Sequence, residues 1–137
     1  SSLYRGQKLE AILKDVLDTP VSPELLPQQD DKIVQKTEDI VGPYELHDFF
    51  IYHMIRFSDE PKKLLRKTKL AFKDKYDNET IKKWLIKFYW RFFTQQFKRS
   101  CIPDGPKVGS VSLSPRGDWR MPSDASVKEW IHELENN

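Results

Sequence analysis

The sequence predicts a mainly α-helical fold. Apolar residues recur three and four positions apart in several stretches, which is the spacing of one helical face. Proline and small polar residues separate these stretches, as expected where helices begin and end. No stretch shows the strict alternation of a half-buried strand. A hydrophobic content of 38% and a charged content of 32% are typical of a globular chain rather than a disordered one.

The first predicted helix ends near Asp18, because Thr19 and Pro20 interrupt the pattern. Its apolar positions are Leu9, Ile12, Leu13, Val16 and Leu17. A stripe of this kind needs a partner surface to cover it.

Two further helices follow on either side of a short turn. The second is predicted from Tyr44 to Phe57, with Pro43 at its start. The third starts near Pro61, and Ser58 or Asp59 is its predicted N-cap. The apolar positions are Leu46, Phe49, Phe50, His53, Met54 and Phe57 in the second helix, and Leu64, Leu65, Thr68, Ala71 and Phe72 in the third.

The fourth predicted helix covers residues 79–98, with Asn78 as its N-cap, and it is unusually aromatic. Successive residues turn by about 100°, so its apolar positions occupy more than half of the circumference. They are Trp84, Leu85, Ile86, Phe88, Tyr89, Trp90, Phe92, Phe93 and Phe97. Of the 4 tryptophans, 5 tyrosines and 8 phenylalanines, 14 lie between Tyr44 and Phe97. We therefore expect a surface outside this chain to cover part of them.

A last helix is predicted after Ser123, which is a plausible N-cap, with Asp124 near the positive end of the helix dipole. Its apolar positions are Val127, Trp130, Ile131 and Leu134. Two connections, residues 19–43 and 100–122, are longer than usual for a compact domain. Connections of this length are usually functional flaps or disordered tails.

The small net charge of +2 hides a segregation of charge along the chain. Residues 1–60 carry 6 basic and 12 acidic side chains, whereas residues 61–99 carry 13 basic and 3 acidic ones. A basic block favours anionic partners, although it is equally typical of a solvated helix face.

Two binding functions remain open on these grounds. One is a nucleic-acid-binding module that uses Lys62, Lys63, Arg66, Lys67, Lys69, Lys82, Lys83 and Lys87. The other is a protein-interaction module that docks through its surplus aromatic surface.

Few residues indicate chemistry on their own. Cys101 is the only cysteine, which excludes an internal disulfide framework and a zinc site built on paired cysteines. The three histidines, His47, His53 and His132, lack the i, i+4 spacing of two metal ligands on one helical face. Five carboxylates of the first long connection could bind a divalent ion or simply keep the loop solvated. They are Glu24, Asp30, Asp31, Glu38 and Asp39. We assign no metal site and no catalytic residue.

Residues 97–120 form the best candidate for an anion site. They combine positive charge with glycines, whose backbone amides can approach a phosphate closely. The residues concerned are Lys98, Arg99, Lys107, Arg116 and Arg120, with Gly105, Gly109 and Gly117. The glycine spacing does not match a Walker loop.

Three stretches resemble one enzyme family. The last is FKRSCIPDGPKVGSVSLSPRGDWRMPSDAS, from residue 97 to residue 126, and it is similar to the C-terminal signature of the long bacterial glutamine-dependent NAD+ synthetases. The earlier stretches are DTPVSPELLP and VGPYELHDFFIYHMIR, and all three keep the order of the family. About thirty residues of irregular loop sequence cannot be reproduced by composition or periodicity alone.

The resemblance implies a ligase in which an N-terminal amidase domain releases ammonia from glutamine and a synthetase domain uses it. In the synthetase domain ATP, with magnesium, adenylylates the nicotinate carboxylate of deamido-NAD+, and ammonia displaces AMP to give NAD+. The catalytic cysteine, lysine and glutamate of that amidase and the SGGxDS loop of that synthetase do not occur in these 137 residues. The chain alone is therefore expected to be inactive.

The resemblance also implies an organisation for the chain. Residues 1–137 would be a single helical C-terminal segment of an α/β adenine-nucleotide α-hydrolase-like domain, with two long loops. Residues 19–43 would form a lid-like loop, 44–99 a helical array, 100–122 a substrate loop and 123–137 the terminal helix.

Two site residues follow from the resemblance. Lys98, in the FKR that matches the family's HKR or FKR, is expected to contact deamido-NAD+, and Ser22, in VSPEL, is expected to contact ATP. Phe97 stands where ammonia-dependent relatives have histidine, so a role for a ring nitrogen does not transfer.

The expected partners are the rest of the synthetase domain, the glutaminase domain and further copies in a homo-oligomer, with no nucleic acid and no membrane. No apolar run approaches the length of a membrane span and no signal peptide opens the chain, so a cytoplasmic location is expected.

Overall fold

The computed structural model describes residues 2–19, 40–105, 107 and 109–136. The described residues form helices joined by turns and irregular segments, with no strand among them, which confirms the mainly helical prediction. None of the helices in these ranges is both long enough and apolar enough to cross a bilayer. The chain divides into two compact units, residues 1–40 and residues 41–137.

The first unit contains helix α1, Ser2–Asp18, which ends where the sequence predicted. The Thr19 hydroxyl donates to the Asp15 carbonyl oxygen at 2.8 Å and closes the last turn. All five apolar side chains of the predicted stripe are at least half exposed, and Leu17 reaches 83%. That a partner covers this stripe stays a prediction.

The second unit begins with α2, Tyr44–Phe57, and α3, Pro61–Ala71, in agreement with the predicted start of each helix. The predicted cap of α3 is wrong. Ser58 instead closes α2 in a left-handed conformation, with a φ of 50°, and Glu60 is the N-cap of α3 without a side-chain bond. Asp59 does not cap α3, because its buried carboxylate binds Lys63 and Lys67 instead of backbone amides.

The fourth predicted helix is two helices, α4, Asn78–Thr94, and α5, Gln96–Cys101. Gln95 separates them, so the prediction of one helix over residues 79–98 is wrong. Two side chains account for the break. The Thr94 hydroxyl donates to the Trp90 carbonyl oxygen at 2.7 Å, a bond that bends helices. Arg99 donates to the Phe92 carbonyl oxygen, which a continuous helix would offer to the amide of residue 96.

The N-cap of α4 is Asp77 rather than Asn78. The Asp77 carboxylate accepts a hydrogen bond from the Thr80 backbone amide at 3.0 Å, and Asn78 is the first helical residue.

The terminal helix α6, Lys128–Glu135, starts later than predicted. The Ala125 amide donates to the Pro122 carbonyl oxygen, so Ser123 and Asp124 lie in a turn instead of capping the helix. Val127 is the residue at the N-cap position, and it provides no side-chain hydrogen bond.

Helix α4 is the centre of the second unit, because it contacts α2, α3, α5 and α6. The buried core is Leu46, Phe50, Met54, Leu64, Leu65, Ile81, Leu85, Phe88, Tyr89, Phe92, Phe93, Val127 and Leu134. The aromatic arc of α4 is thus largely buried inside the unit. Trp90 and Phe97, in contrast, are 50% and 51% exposed.

Candidate ligand-binding site

Lys98, the predicted contact of deamido-NAD+, lies on the short helix α5 with an exposed side chain. Its ammonium nitrogen is 5.9 Å from the centre of the Phe97 ring, which is itself half exposed. No carboxylate of the described residues pairs with it. The positive charge of Lys98 is therefore not neutralised by any acidic side chain within the described residues.

The neighbouring cation, Arg99, has the opposite environment. Its guanidinium lies 4.0 Å from the centre of the Phe92 ring and donates to the Phe92 carbonyl oxygen. Nε donates to Oε1 of Gln96 at 3.0 Å, and Nη2, which also donates to the Phe92 carbonyl oxygen, donates to Oε1 of Gln96 at 2.6 Å. Desolvation by burial lowers the pKa of Arg99 below its usual range. Arg99 is thus built into the fold.

Gln96 joins helix α5 to the end of the second long connection. Its side chain is buried, and Nε2 donates to the Met121 carbonyl oxygen at 3.2 Å. Trp119 adds an edge-to-face contact with Phe92, at 5.5 Å between ring centres. The segment that returns from the glycine-rich stretch is therefore fixed against the same two helices that hold Lys98.

Two more of the predicted cations are neutralised within residues 100–122. Arg116 Nε lies 2.9 Å from both carboxylate oxygens of Asp104, and Nη2 donates to the Ile102 carbonyl oxygen. Hydrogen bonds from Arg116 and then from Ser114 lower the pKa of Asp104. Lys107 lies 2.6 Å from Asp118 and lowers the pKa of that carboxyl by its hydrogen bond.

The fifth cation of the predicted anion site, Arg120, donates to the Arg116 carbonyl oxygen at 3.2 Å. A Cβ at Gly105 or Gly109 would meet nothing within 4 Å, and Gly109 has a φ of 94°. The backbone at these two glycines is open to a ligand. Among the five cations, Lys98 is the one whose exposed ammonium group has neither an ion pair nor a hydrogen bond to a backbone carbonyl within the described residues.

The basic block around α3 is largely used inside the fold. Lys63 and Lys67 both bind the buried carboxylate of Asp59, at 2.8 and 2.5 Å. Lys62 lies 3.6 Å from Glu133 of α6, and Lys82 donates to the Glu135 carbonyl oxygen.

Two further lysines, Lys83 and Lys87, lie over the Trp84 ring at 5.3 and 4.9 Å. In the described part of the chain, Arg66 and Lys69 form no ion pair, and they line a shallow pocket of about 500 Å³ between α3 and α6. These contacts reduce the continuous positive surface that a nucleic-acid-binding module would need.

Several predicted residues lie outside the described ranges. Ser22, the predicted ATP contact, is one, and so is most of the predicted lid-like loop of residues 19–43. The five carboxylates of that loop, Glu24, Asp30, Asp31, Glu38 and Asp39, are also outside. These assignments stay predictions.

The histidines and the cysteine take no part in a metal cluster within the described ranges. His47 Nε2 lies 2.6 Å from the Val41 carbonyl oxygen, and His53 Nδ1 lies 3.0 Å from Asp59. His132 is exposed beside Asn136, and Cys101 is a free, exposed thiol.

Sequence reasoning missed the different roles of the neighbouring cations. Phe92, Gln96 and Arg99 recur at i, i+4 and i+7, so they share one helical face even before the tertiary contacts are known. That spacing could have indicated an internal role for Arg99.

Comparison with known proteins now places the chain. No family model matches it. The glutamine-dependent NAD(+) synthetase of Mycobacterium leprae is 38% identical over an alignment of 147 positions, which includes 94% of this chain and 22% of that protein. Proteins of the same name from Mycobacterium bovis and Mycobacterium tuberculosis are each 36% identical over an alignment of 148 positions, which includes 95% of this chain. This chain is similar, over nearly its whole length, to part of the glutamine-dependent NAD(+) synthetases.

The chain spans 22% of the length of these NAD(+) synthetases and corresponds to their C-terminal part. The resemblance predicted from three sequence stretches is thereby confirmed. The roles of Lys98 and Ser22 are not tested by the similarity.

Proposed function

We propose that the chain is the helical C-terminal segment of the synthetase domain of a glutamine-dependent NAD+ synthetase. In that enzyme a glutaminase domain supplies ammonia, and ATP adenylylates the nicotinate carboxylate of deamido-NAD+ with release of pyrophosphate. Ammonia then displaces AMP to give NAD+. The relatives' shared name and the 94–95% coverage of this chain support the assignment.

Lys98 is the residue of this segment that contacts deamido-NAD+. The supporting observation is its isolation: it is exposed on α5 and unpaired within the described ranges, while Arg99, Lys107 and Arg116 are engaged with the protein. A dinucleotide carries phosphates and a carboxylate, and an ammonium held beside an aromatic ring can bind either group.

The nucleotide-binding parts of the site lie elsewhere in the enzyme. We propose that an α/β adenine-nucleotide α-hydrolase-like core binds ATP, that Ser22 adds a hydroxyl contact, and that residues 19–43 close over the acyl-adenylate and exclude water. Magnesium would accompany the phosphates. The described residues bring no three metal-binding side chains together, so we assign it no ligand here.

The exposed apolar side chains favour burial in a larger assembly. Trp90, Phe97 and Ile102 are each at least half exposed on or beside α4 and α5. We propose that the rest of the synthetase domain or another copy of a cytoplasmic homo-oligomer covers these side chains, since several large apolar side chains left exposed by a fold are typical of an interface.

The test is Lys98→Ala in the full-length enzyme. Loss of a charge-assisted hydrogen bond costs about 1.5–3 kcal/mol, so we expect kcat/KM for deamido-NAD+ to fall by about 10- to 100-fold. Glutamine hydrolysis should continue, because Lys98 is not in the glutaminase domain. Lys128→Ala removes an exposed lysine from α6 and serves as the control. Unchanged synthesis in Lys98→Ala would refute the assignment.

A further inference from the structure

Lys98 and Arg99 are adjacent cations with opposite surroundings. Lys98 is exposed, whereas Arg99 is partly buried against Phe92 and Gln96. Free guanidinium groups favour carboxylates and phosphates, yet Arg99 has no carboxylate partner in the described part of the chain. Its side-chain hydrogen bonds within the described residues go to a backbone carbonyl and to an amide oxygen.

These contacts fix the short helix that carries Lys98. Helix α5 has six residues, which is too short to be stable by its own hydrogen bonds. Arg99 ties its last turn to the end of α4 through the Phe92 carbonyl oxygen and ring. Through Gln96, the same network reaches the Met121 carbonyl oxygen.

We propose that Arg99 is a positioning residue for Lys98 and does not itself bind the dinucleotide. The inference rests on the proposed function of Lys98. Nε and Nη2 of Arg99 already bind Gln96 and the Phe92 carbonyl oxygen, and the guanidinium lies against the Phe92 ring. A bidentate contact with an anion through these two nitrogens would break those bonds. The contacts of Arg99 hold helix α5, and with it the Lys98 backbone, against α4. The Lys98 ammonium group therefore loses little further conformational freedom when it binds its ligand.

The experiment is a double-mutant cycle in the full-length enzyme, with KM for deamido-NAD+ and the rate of glutamine hydrolysis as readouts. Lys98→Ala, Arg99→Ala and the double variant are compared with the parent enzyme. Residues that act as one unit have strongly non-additive effects. We expect Arg99→Ala to raise KM about three- to tenfold in the parent and less than about twofold in the Lys98→Ala background. Glutamine hydrolysis should be unchanged in all of them.

Arg99→Lys distinguishes a positioning role of Arg99 from an effect of its charge. It also replaces Arg99→Ala in the experiment if that variant does not fold. A lysine keeps the positive charge but loses the planar fork that contacts Gln96 and Phe92 together. Positioning therefore predicts that Arg99→Lys raises KM nearly as much as Arg99→Ala. It also predicts faster amide hydrogen exchange at Lys98, whose N–H donates to the Gln95 carbonyl oxygen.

The outcomes are distinguishable. If Lys98→Ala leaves KM for deamido-NAD+ unchanged, the proposed role of Lys98 is wrong, and the positioning role of Arg99 is wrong as well. An intact Lys98→Ala effect, with an equal Arg99→Ala effect in both backgrounds, overturns the positioning role alone. An Arg99→Lys enzyme with the parent KM and unchanged exchange also overturns it.

Discussion

At the scale of single residues, Gly42 shows why one position tolerates only glycine. Its backbone has a φ of 101°, in the left-handed region that side chains rarely adopt. A Cβ at this position would lie 2.6 Å from two carbon atoms of the Trp84 ring. The entry to α2 thus packs directly on an aromatic ring of α4.

Gly42→Ala should therefore destabilise the chain. Backbone strain and overpacking each cost about 1–3 kcal/mol, so we expect a loss of about 2–4 kcal/mol in the free energy of unfolding. Urea denaturation measures it. Gly105→Ala is the matched control, because its Cβ meets nothing within 4 Å, and it should change the free energy by less than about 0.5 kcal/mol. Equal stability of the two variants would contradict this account of Gly42.

Asp59 is a buried carboxylate that joins α2 to α3. Burial alone would raise its pKa, but hydrogen bonds from Lys63, Lys67 and His53 outweigh that effect and lower the pKa from 3.8 to about 2. A carboxyl with a depressed pKa in the folded state stabilises the protein above its unfolded pKa. This stabilisation is lost as the pH falls from about 4 through about 2.

Asp59→Asn tests this link. At neutral pH the variant should be less stable by about 2 kcal/mol, since each pKa unit corresponds to about 1.4 kcal/mol. The difference should shrink as the pH falls from 4 to 2, because the parent carboxyl becomes protonated. Urea denaturation of both proteins across this range gives the difference directly. A gap that stays constant with pH would contradict the assigned pKa.

The roles of charged residues show the limit of sequence reasoning at this scale. The loop sequence predicts a ligand contact for Lys98 through the family resemblance, and that role stays a prediction. It did not show that Arg116 pairs with Asp104, 12 positions away, or that Lys107 pairs with Asp118. Pairings of this kind depend on where an irregular loop folds back, which no helical periodicity encodes.

At the scale of secondary structure, apolar spacing located the helices better than it located their ends. It predicted α2 at Tyr44–Phe57 and the start of α3 at Pro61, because proline and an apolar face both mark those positions. It missed the break at Gln95, since the aromatic pattern continues to Phe97 while Arg99 and Thr94 bond to carbonyls of the last turns.

The caps allow a direct test, because Asp77 and Asn78 are adjacent and both are good N-cap residues. The Thr80 amide donates to Asp77, so Asp77→Ala should cost about 1 kcal/mol of unfolding free energy. Asn78→Ala should change it by less than about 0.5 kcal/mol, as expected for an exposed position without such a bond. Denaturation of the two variants decides between the caps, and a larger loss for Asn78→Ala would restore the original prediction.

At the scale of the whole molecule, the second unit has its own buried core, but several apolar side chains of the chain stay exposed to solvent. Tyr89, Leu85 and Phe50 are fully buried around α4. The exposed stripe of α1 and the half-exposed Trp90 and Phe97 are not explained by that core. The chain spans 22% of its relatives' length, and under the proposed function the other parts of the enzyme would cover these side chains.

The most direct test of the central claim is the structure of the full-length enzyme with deamido-NAD+ bound. The quantity to measure is the distance from the Lys98 ammonium nitrogen to the nearest phosphate or carboxylate oxygen of the dinucleotide. We expect a phosphate or carboxylate oxygen of the dinucleotide within about 4 Å, the limit of an ion pair. The ligand could be bound in the same subunit or in a neighbouring one. A distance beyond about 8 Å in every subunit, where salt screens exposed charges, would contradict the proposed role of Lys98.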